Sequence, residues 1–550
     1  MTAKITLFEA QRRQKREQMN GAHGPDEVGG DEGPGSGQRV IQIKAAEQAR
    51  VVDETEEALI EENARVYVRA GRLVQPILEE ALATGGRPTV VARLKELCLD
   101  SLTDLIGRVI TFKRYSENRR QWVKTDPPRW VASHLLARNG LWKLPRLSGV
   151  ITTPTLRPDG SILQEPGYDP ATRLYLLLDP DLRLPVISRH PSRQEAERAL
   201  DLLTDLISGF PFVGPVDRAV ALSGILTTVL RPTLPVVPLH AIRAHTSGTG
   251  KSYLVDVFTA IATGRPCPAT SVAKSEEETE KRLAAHLLQG DAIISLDNVN
   301  GELGGDLLCQ MTERSLVRPR ILGRSEAPEV ECRAMPFATG NNLIIVGDMT
   351  RRTVLSSLDA NVERPEQRHF DFLPVDRVLA DRGAYVAAVL TILLAYRAAG
   401  SPKVCGPLGS YGAWSGTVRS ALIWLGEADP VLSMETTREE DPKLGGQREL
   451  FEHWQEYLTE GRFYSVTEII NTACEAYTDG DFLRPQFRDL LMRMTRANSA
   501  KPSANSLGRW FSDLHGRVAG GFRLDVAKDE KRGNRYGLLR VRDGDPDEGT

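Results

Sequence analysis

The segment from Ala244 to Ser252 contains the residues of this chain with the most definite chemistry. It reads AHTSGTGKS, follows an apolar run from Val236 to Ile242, and opens a helical pattern with apolar residues on one face. A strand, a glycine-rich turn, Lys-Ser and a helix are the parts of a phosphate-binding loop. In such a loop backbone N–H groups point inward and the helix N-terminus adds positive potential. The sequence therefore predicts a site for a nucleoside triphosphate such as ATP.

The residues of this loop have distinct expected roles. Lys251 is expected to reach the β- and γ-phosphates, and the Ser252 hydroxyl is expected to ligate Mg²⁺. One position departs from G-x-x-x-x-G-K-S, because His245 stands where the first glycine is usual. A chance glycine turn before a helix is the alternative interpretation. The amides expected to bind the phosphates belong to Thr246, Ser247, Gly248, Thr249, Gly250, Lys251 and Ser252.

A second predicted strand, Ala292 to Asp297, is apolar and ends in an acid. This pattern is typical of a buried parallel strand, and the Asp297 carboxylate at its end is expected to hold Mg²⁺ through its water shell. Asn298 follows at a position where ATPases of this kind usually carry Glu or Asp to orient the attacking water. An amide can hydrogen-bond that water but cannot take its proton. Either turnover is slow or another acid serves, and Glu302 and Asp306 are nearest in sequence.

A third predicted strand, Met335 to Asn342, ends in two amides. Asn341, or alternatively Asn342, is expected to contact the γ-phosphate or the attacking water. The competing interpretation is a strand followed by a turn, with Asn in left-handed backbone.

The paired arginines Arg351 and Arg352 come shortly after that strand. Such a pair suits an arginine finger, which places a guanidinium against the γ-phosphate bound by a neighbouring subunit. A surface ion pair with Asp348 or Asp359 is the alternative. Because the preceding motifs are also present, we favour the interpretation as an arginine finger.

A basic segment lies between the second and third strands and predicts a β-hairpin around Gly323. In the pore of a ring, such a hairpin could bind a phosphate backbone without reading bases. A solvated hairpin paired with nearby glutamates is equally compatible with the sequence. The arginines expected to contact DNA are Arg318, Arg320 and Arg324.

Taken in order, these motifs resemble those of the superfamily 3 helicases, a group within the AAA+ ATPases. They are most similar to the helicase half of primase-helicases from phages, plasmids and integrative elements, over roughly Pro128 to Phe370. The resemblance implies a homo-hexameric ring with ATP and Mg²⁺ at subunit interfaces and movement along single-stranded or forked DNA. The primase half is missing from the pattern, which implies a separate primase or polymerase as partner. The motifs are Gly250-Lys251-Ser252, Leu296-Asp297-Asn298, the basic hairpin, Thr339 to Asn342, and Asp348 with Arg351 and Arg352.

The C-terminal region has its own nucleic-acid pattern. Leu507, Trp510, Phe511 and Leu514 share one helix face, and two alternating strands follow with a basic loop between them. Helix, strand, charged loop and strand resemble a winged helix. A small protein-docking domain is the alternative. The expected DNA contacts here are Arg509, Lys531 and Arg532.

The predicted fold class is α/β, with an AAA+ P-loop core, an α+β N-terminal domain and a C-terminal winged-helix-like domain. Residues 20–38 are rich in Gly, Asp and Pro, a composition that cannot offset its ordering entropy by burial. The predicted order is a disordered tail (1–40), the N-terminal domain (41–191), the ATPase domain (192–400), a helical connector (401–461), the winged-helix-like domain (462–542) and an acidic tail (543–550).

Composition limits the classes of protein that fit. The chain has 550 residues and a net charge of -3, so any nucleic-acid site must be a local patch. Its six cysteines are widely spaced, which argues against a zinc ribbon or a disulfide framework. No long apolar run or signal segment is present, so we expect a soluble, cytoplasmic protein without a membrane partner.

The sequence thus favours an ATP-dependent DNA helicase or replication motor of a mobile genetic element. One alternative is an AAA+ DNA-binding switch or initiator that binds ATP and hydrolyses little of it. A P-loop kinase for a small molecule is a more distant alternative.

Overall fold

The computed structural model describes residues 38–82, 88–271, 273, 275–320, 328–478, 480–495, 501–529 and 533–541. The predicted tails lie almost wholly outside the described residues. The predicted DNA-contacting residues Arg324, Lys531 and Arg532 lie outside them as well.

The strands, in chain order, are β1 Arg39–Ile43, β2 Tyr67–Arg69, β3 Arg72–Leu82, β4 Pro88–Glu96, β5 Ile110–Ser116, β6 Gln121–Thr125, β7 Gly149–Ile151, β8 Thr155–Leu156, β9 Ile162–Leu163, β10 Gly167–Asp169, β11 Leu174–Leu176, β12 Leu239–Ala244, β13 Ala269–Ser271, β14 Ile293–Leu303, β15 Leu316–Val317, β16 Val330–Glu331, β17 Met335–Ile345, β18 Thr353–Leu358, β19 Tyr464–Ser465, β20 Val518–Ala519, β21 Phe522–Asp529 and β22 Gly533–Arg540.

The α-helices, in chain order, are α1 Gln48–Glu61, α2 Leu99–Val109, α3 Arg129–Ala137, α4 Arg193–Leu206, α5 Pro215–Leu230, α6 Lys251–Thr263, α7 Glu276–Gln289, α8 Asp306–Glu313, α9 Pro374–Ala380, α10 Arg382–Ala398, α11 Gly412–Trp414, α12 Ser420–Trp424, α13 Ser433–Glu439, α14 Pro442–Tyr457, α15 Val466–Ala473, α16 Pro485–Thr495 and α17 Ala504–Asp513.

The chain forms two compact units. Unit 1 takes its described residues from Met1–Ala64 and Leu99–Leu135, and unit 2 takes its own from Arg65–Cys98 and Leu136–Thr550. In unit 1, β5 pairs in parallel with β1 and antiparallel with β6. Helices α1 and α2 pack against β1 and β5 and bury Ile41 and Phe112 between sheet and helices.

The core of unit 2 is a five-stranded parallel sheet in the order β13-β14-β17-β12-β18. Strand β12, which leads into the phosphate-binding loop, lies near the middle and is buried along almost its whole length. Strands buried on both faces are near-continuously apolar, which is the pattern that predicts this strand and β14. Helices α5, α6 and α10 pack around the sheet. The α/β class predicted from the sequence is therefore confirmed.

The helices before the phosphate-binding loop begin at clear sequence signals. The Ser192 side chain accepts the N–H of Glu195, whose carboxylate accepts the N–H of Ser192, so that a capping box starts α4. Pro215 stands in the first turn of α5, where its missing N–H costs nothing.

The C-terminal part of unit 2 has an antiparallel sheet in the order β19-β22-β21-β20. Its core includes the fully buried rings of Trp454, Phe487 and Phe511. The predicted helix around Trp510 and the two predicted strands after it are present as α17, β21 and β22.

Within the described residues, no single helix is long and apolar enough to cross a membrane. The bent pair α9 and α10, with 91° between its helices, meets the length and composition criteria only when the two are taken together.

A buried histidine on β12 makes the stability of the sheet dependent on pH. His240 is 1% exposed, Nε2 lies 2.9 Å from Ser223 Oγ, and burial lowers its pKa to about 3. The unfolded chain therefore binds a proton below about pH 6.5 that the folded chain does not, and stability falls as the pH drops from 6.5 towards 3. We expect this loss to be roughly 1 kcal/mol per pH unit.

Thermal unfolding at pH 7.5 and pH 5 tests this expectation. The wild-type protein should lose several degrees more than His240→Gln, which has no titrating ring, over the same pH interval. An identical fall in both proteins would contradict it.

Candidate active site

The phosphate-binding loop adopts a backbone that glycine permits and larger residues resist. Gly248 has φ of +77° and Gly250 has φ of +102°, both in the left-handed region. A Cβ at Gly250 would lie 3.3 Å from the Phe210 ring, and one at Gly248 would lie 3.2 Å from Glu366 Cβ. Helix α6 starts immediately after Gly250 without a side-chain cap, so its first N–H groups have no intrahelical acceptor. The loop thus presents unsatisfied donors at the positive end of a helix.

Lys251 lies across this loop. Its ammonium donates to the Thr246 carbonyl at 3.3 Å, and Thr249 Oγ1 donates to the same oxygen at 2.7 Å. Burial lowers the pKa of Lys251, while the nearby Asp297 carboxylate opposes that shift. The cation is therefore held beside both the loop amides and an acid.

Asp297 is the centre of a three-residue cluster. Its Oδ1 accepts hydrogen bonds from Ser252 Oγ at 2.6 Å and from Thr339 Oγ1 at 2.5 Å. The pairing of Leu296 with Ala338 in β14 and β17 brings Asp297 and Thr339 to the same level of the sheet. Because these strands are parallel to β12, their carboxyl ends share an edge with the phosphate-binding loop. The structure therefore brings together the two residues predicted as Mg²⁺ ligands.

The donor set of this cluster fits Mg²⁺ bound together with a phosphate. It offers one carboxylate and two hydroxyl oxygens, which are hard ligands. Among the described residues no group of three or more His, Cys, Asp or Glu side chains could hold a metal ion. Phosphate and water oxygens would complete the coordination, as Mg²⁺ sites of nucleotide enzymes commonly require.

Asn298 occupies a bulge at the end of this strand. Its φ is +55°, which Asn tolerates better than most residues, and the β14–β17 register shifts between Leu296 and Val299. The Asn298 N–H donates to Thr339 Oγ1 at 3.3 Å, so its main chain belongs to the cluster. Glu302 lies five residues beyond Asp297 on the same strand, a span of roughly 16 Å at about 3.3 Å per residue. The structure brings neither Glu302 nor Asp306 to the cluster.

A second carboxylate, which the sequence analysis missed, does lie near Asp297. Asp256 follows Ser252 by one turn of α6, and its Oδ1 accepts the N–H of Cys267 at 2.8 Å. Burial raises the pKa of Asp256, and the charge of Asp297 adds to that rise. The i, i+4 spacing from Ser252 is a signal that could have found it.

At the end of β17, the residue that bonds to Asp297 is not one of the two predicted asparagines. Thr339, which is 1% exposed, makes the bond to Asp297. Asn341 is half-buried two residues further along, so the two side chains share one face of the strand. Asn342 donates to Asn300 Oδ1 at 3.5 Å. The expected role of Asn341 at the γ-phosphate stays a prediction.

The paired arginines are both bound within their own subunit. Arg352 is buried, donates to the Cys309 carbonyl at 2.7 Å, and pairs with Glu313 and Asp348. Arg351 Nε pairs with Asp348 Oδ1 at 2.5 Å, but its side chain is 50% exposed. The ion pair with Asp348, the alternative in the sequence, is thus present. Arg351 is the member of the pair with a guanidinium accessible from outside.

The predicted DNA contacts are only partly described. Strands β15 and β16 pair antiparallel and form the base of the basic hairpin. Arg318 pairs with Glu329 at 2.5 Å on the surface, which is the solvated alternative, and Arg320 is exposed. Arg509 is exposed on α17.

A cavity of about 370 Å³ adjoins the phosphate-binding loop. Between Gly248–Gly250 and residues 365–374 it is lined by the rings of Phe210, Tyr253, Phe370 and Phe372. Arg368 donates to the Gly209 carbonyl at 2.8 Å and ties the two sides together. The size and aromatic lining of this cavity suit a planar ring next to the bound phosphates. These residues are far apart in the sequence, and no spacing signal connects them.

No protein-family model matches the chain, and no curated protein matches it. Among solved structures, the chain is similar to two A form apo structures of the NrS-1 C-terminal region. Both are 12% identical in sequence, with TM-scores of 0.34 and 0.36, and the alignments cover 84% of this chain and 96% of theirs. These values are too low for the likeness to bear on the fold or activity of this chain.

Thr339 offers a test of the cluster that leaves Asp297 and Ser252 in place. Thr339→Val keeps the side-chain size and removes the donor to a carboxylate, a hydrogen bond of about 1.5–3 kcal/mol. We expect the affinity for a fluorescent ATP analogue in the presence of Mg²⁺ to fall about tenfold or more. Thr339→Ser, which keeps the hydroxyl, should retain most of the affinity. Equal binding by the Val variant, with an unchanged melting temperature, would remove Thr339 from the site.

Proposed function

We propose that this protein is an ATP-dependent motor that acts on DNA. The observation that carries the proposal is the hydrogen bond from Ser252 to Asp297, beside Lys251 and at the carboxyl edge of a parallel sheet. In a phosphate-binding loop these residue types have complementary tasks, since one side chain neutralises the phosphates and two hold the metal. In this protein, Lys251 and Ser252 come from one segment and Asp297 from another that is distant in the sequence.

The residues act mainly by binding and positioning. The amides of Thr246 to Ser252 and the Lys251 ammonium hold the phosphate chain and offset its charge. Ser252 and Asp297 would ligate Mg²⁺, which when bound polarises the γ-phosphate for attack. Thr339 orients the Asp297 carboxylate, and the aromatic cavity beside Gly250 takes the base. Asn341 is assigned to the γ-phosphate because it shares the strand face of Thr339.

We assign the finer fold to the AAA+ P-loop class and the motor to the superfamily 3 helicase type. The sheet supports this assignment because β17 lies between the loop strand β12 and the acid strand β14. That order lets Thr339 bridge from its own strand to Asp297. The ordered sequence motifs supply the rest, including origin in a mobile genetic element.

The ring and its DNA follow from the same assignment. Arg351 is exposed on the surface, so it can reach a nucleotide held by a neighbour in a homo-hexamer. Exposed Arg320 and the hairpin arginine Arg318 would contact the phosphates of a single or forked strand. Arg509 would add contacts in the winged-helix-like region. A separate primase or polymerase would complete the replication machinery.

A nucleotide switch with little hydrolysis is the second candidate, and Asn298 favours it. An amide follows Asp297, and neither Glu302 nor Asp306 reaches the cluster. Asp256 is nearby, but one of its oxygens is occupied by the Cys267 N–H. Such a protein would bind ATP tightly and assemble on DNA without moving along it.

ATP turnover with and without single-stranded DNA, together with unwinding of a forked duplex, tests the proposal. DNA should stimulate the wild-type rate, and Lys251→Ala should abolish turnover and unwinding because the main counter-charge to the phosphates is lost. Lys281→Ala, which removes an exposed lysine of α7, is the matched control and should behave as wild type. ATP binding with neither stimulation nor unwinding would favour the switch. Unwinding by Lys251→Ala would refute the site.

The two arginines predict different phenotypes. Arg351→Ala should keep the fold and bind ATP but lose turnover, because its exposed guanidinium serves a neighbour. Arg352→Ala should lower the melting temperature, because it leaves Glu313 and the Cys309 carbonyl without their buried partner. Mixing Arg351→Ala with Lys251→Ala should restore part of the activity, since some interfaces then combine an intact loop with an intact arginine. Full activity of Arg351→Ala alone would exclude the finger.

A further inference from the structure

The sheet of unit 1 has an exposed face with an unusual composition. Antiparallel pairing places Tyr115 opposite Trp122 and Lys113 opposite Lys124. Residues directly opposite one another, and residues two apart on one strand, lie on the same side of a sheet. These four side chains therefore form one surface, here called the hairpin face.

The opposite side of the same sheet is the buried one. Ile41, Ile110 and Phe112 are each at most 2% exposed and lie between the sheet and its helices. The hairpin face is half-buried or exposed, with Tyr115 at 48%. Burial on one side and exposure on the other fix the register, so the four residues are held on the outside by the core.

The rings on this face contact each other. The centroids of Tyr115 and Trp122 are 5.7 Å apart, with the rings inclined at 70° in an edge-to-face contact. Such a pair presents two aromatic surfaces at a steep angle to each other, and adjoining apolar rings on an exposed sheet face are a candidate binding site. The edge-to-face contact orients the rings before any ligand binds, which lowers the ordering cost of binding.

The charged side chains around the rings are mainly cationic, and Glu117 in the turn between β5 and β6 is the acid among them. Lys113 and Lys124 are directly opposite like charges, which destabilises a strand pair. Within the part of the chain that the structure describes, neither makes an ion pair, and the same holds for Arg119 and Arg120 in the turn that joins the two strands. Other arginines of unit 1 do find partners, and they are Arg39 with Glu61, Arg108 with Asp104 and Arg129 with Asp100. The positive potential is thus concentrated at the hairpin.

We propose that the hairpin face binds single-stranded DNA. Bases would stack on Tyr115 and Trp122 while the lysines contact the phosphates, which is how sequence-tolerant single-strand sites combine aromatic and cationic groups. A duplex keeps its bases stacked inside, so it can use the charges but not the rings. That the ligand is a single-stranded nucleic acid rests on this face alone, and the choice of DNA rests on the proposed function.

Binding of a fluorescent oligothymidine to the full-length protein without nucleotide tests the stacking. Tyr115→Ala and Trp122→Ala should each weaken binding by about fivefold or more, the lower bound for loss of one base stack. Tyr115→Phe, which keeps the ring, should bind as wild type. A duplex of the same length should lose less affinity in the Ala variants than the single strand does. Unchanged single-strand affinity in both Ala variants would overturn the proposal.

The lysines are tested separately by salt dependence. Lys113→Gln with Lys124→Gln should flatten the slope of log affinity against log salt by about 1.4, since each single-strand phosphate contact contributes about 0.7. Arg108→Gln with Arg129→Gln removes the same charge from the helices of unit 1 and should leave the slope unchanged. A slope that changes equally in both double variants would overturn a local site.

Basal ATP turnover separates this proposal from the motor. The basal rate should be unchanged in all variants of the hairpin face, because none of these residues belongs to the Asp297 cluster. Loss of oligothymidine binding with normal basal turnover supports the hairpin site whatever the outcome of the unwinding assay. A preference for RNA of equal length over DNA would overturn the choice of DNA.

Discussion

The hydrogen bonds of the Asp297 carboxylate require three segments of the chain to lie close together. Its Oδ1 accepts hydrogen bonds from the hydroxyl groups of Ser252 at the start of α6 and of Thr339 on β17. Asp297 itself lies on β14. These segments come together only because the strands run parallel and end at one edge, with the loop strand two places from the acid strand. A one-residue slip of β17 against β14 would turn the Thr339 hydroxyl to the other face of the sheet and leave Asp297 with one donor.

The amino-terminal edge of the sheet has to fix that register, and a buried arginine contributes to it. Arg231 is 1% exposed and donates to the carbonyls of Leu234, Cys332 and Ala334 at 2.6–2.8 Å. Those carbonyls precede β12 and β17, so one guanidinium bonds to the entrances of both strands. Burial lowers its pKa to about 10, which leaves it charged at neutral pH. A buried cation is costly unless it is fully hydrogen-bonded, and here main-chain oxygens bind it.

The sequence predicts the parts of this arrangement that are local. The loop glycines, Lys251 and the strand ending at Asp297 each follow from neighbouring residues, and the structure brings them together as predicted. Thr339 was passed over for Asn341 because the choice depends on the register between two strands, which a single strand does not reveal. Arg231 and the rings of the cavity were not predicted for a related reason, since each contacts segments that are far away in the sequence. The alternative partner of Arg351 was foreseen because Asp348 is only three residues away.

Net charge illustrates why composition alone conceals a local site. The chain carries -3 in total, yet the hairpin of unit 1 concentrates unpaired cations around two aromatic rings. Opposed lysines cost stability in a strand pair, and a sheet that needed only to fold would gain from an acid at either position. A partly exposed ring pair likewise gains less from burial in the free protein than rings in a core do. Both features become favourable when a polyanion with accessible bases covers them, so the composition of this face is better explained by a ligand than by folding.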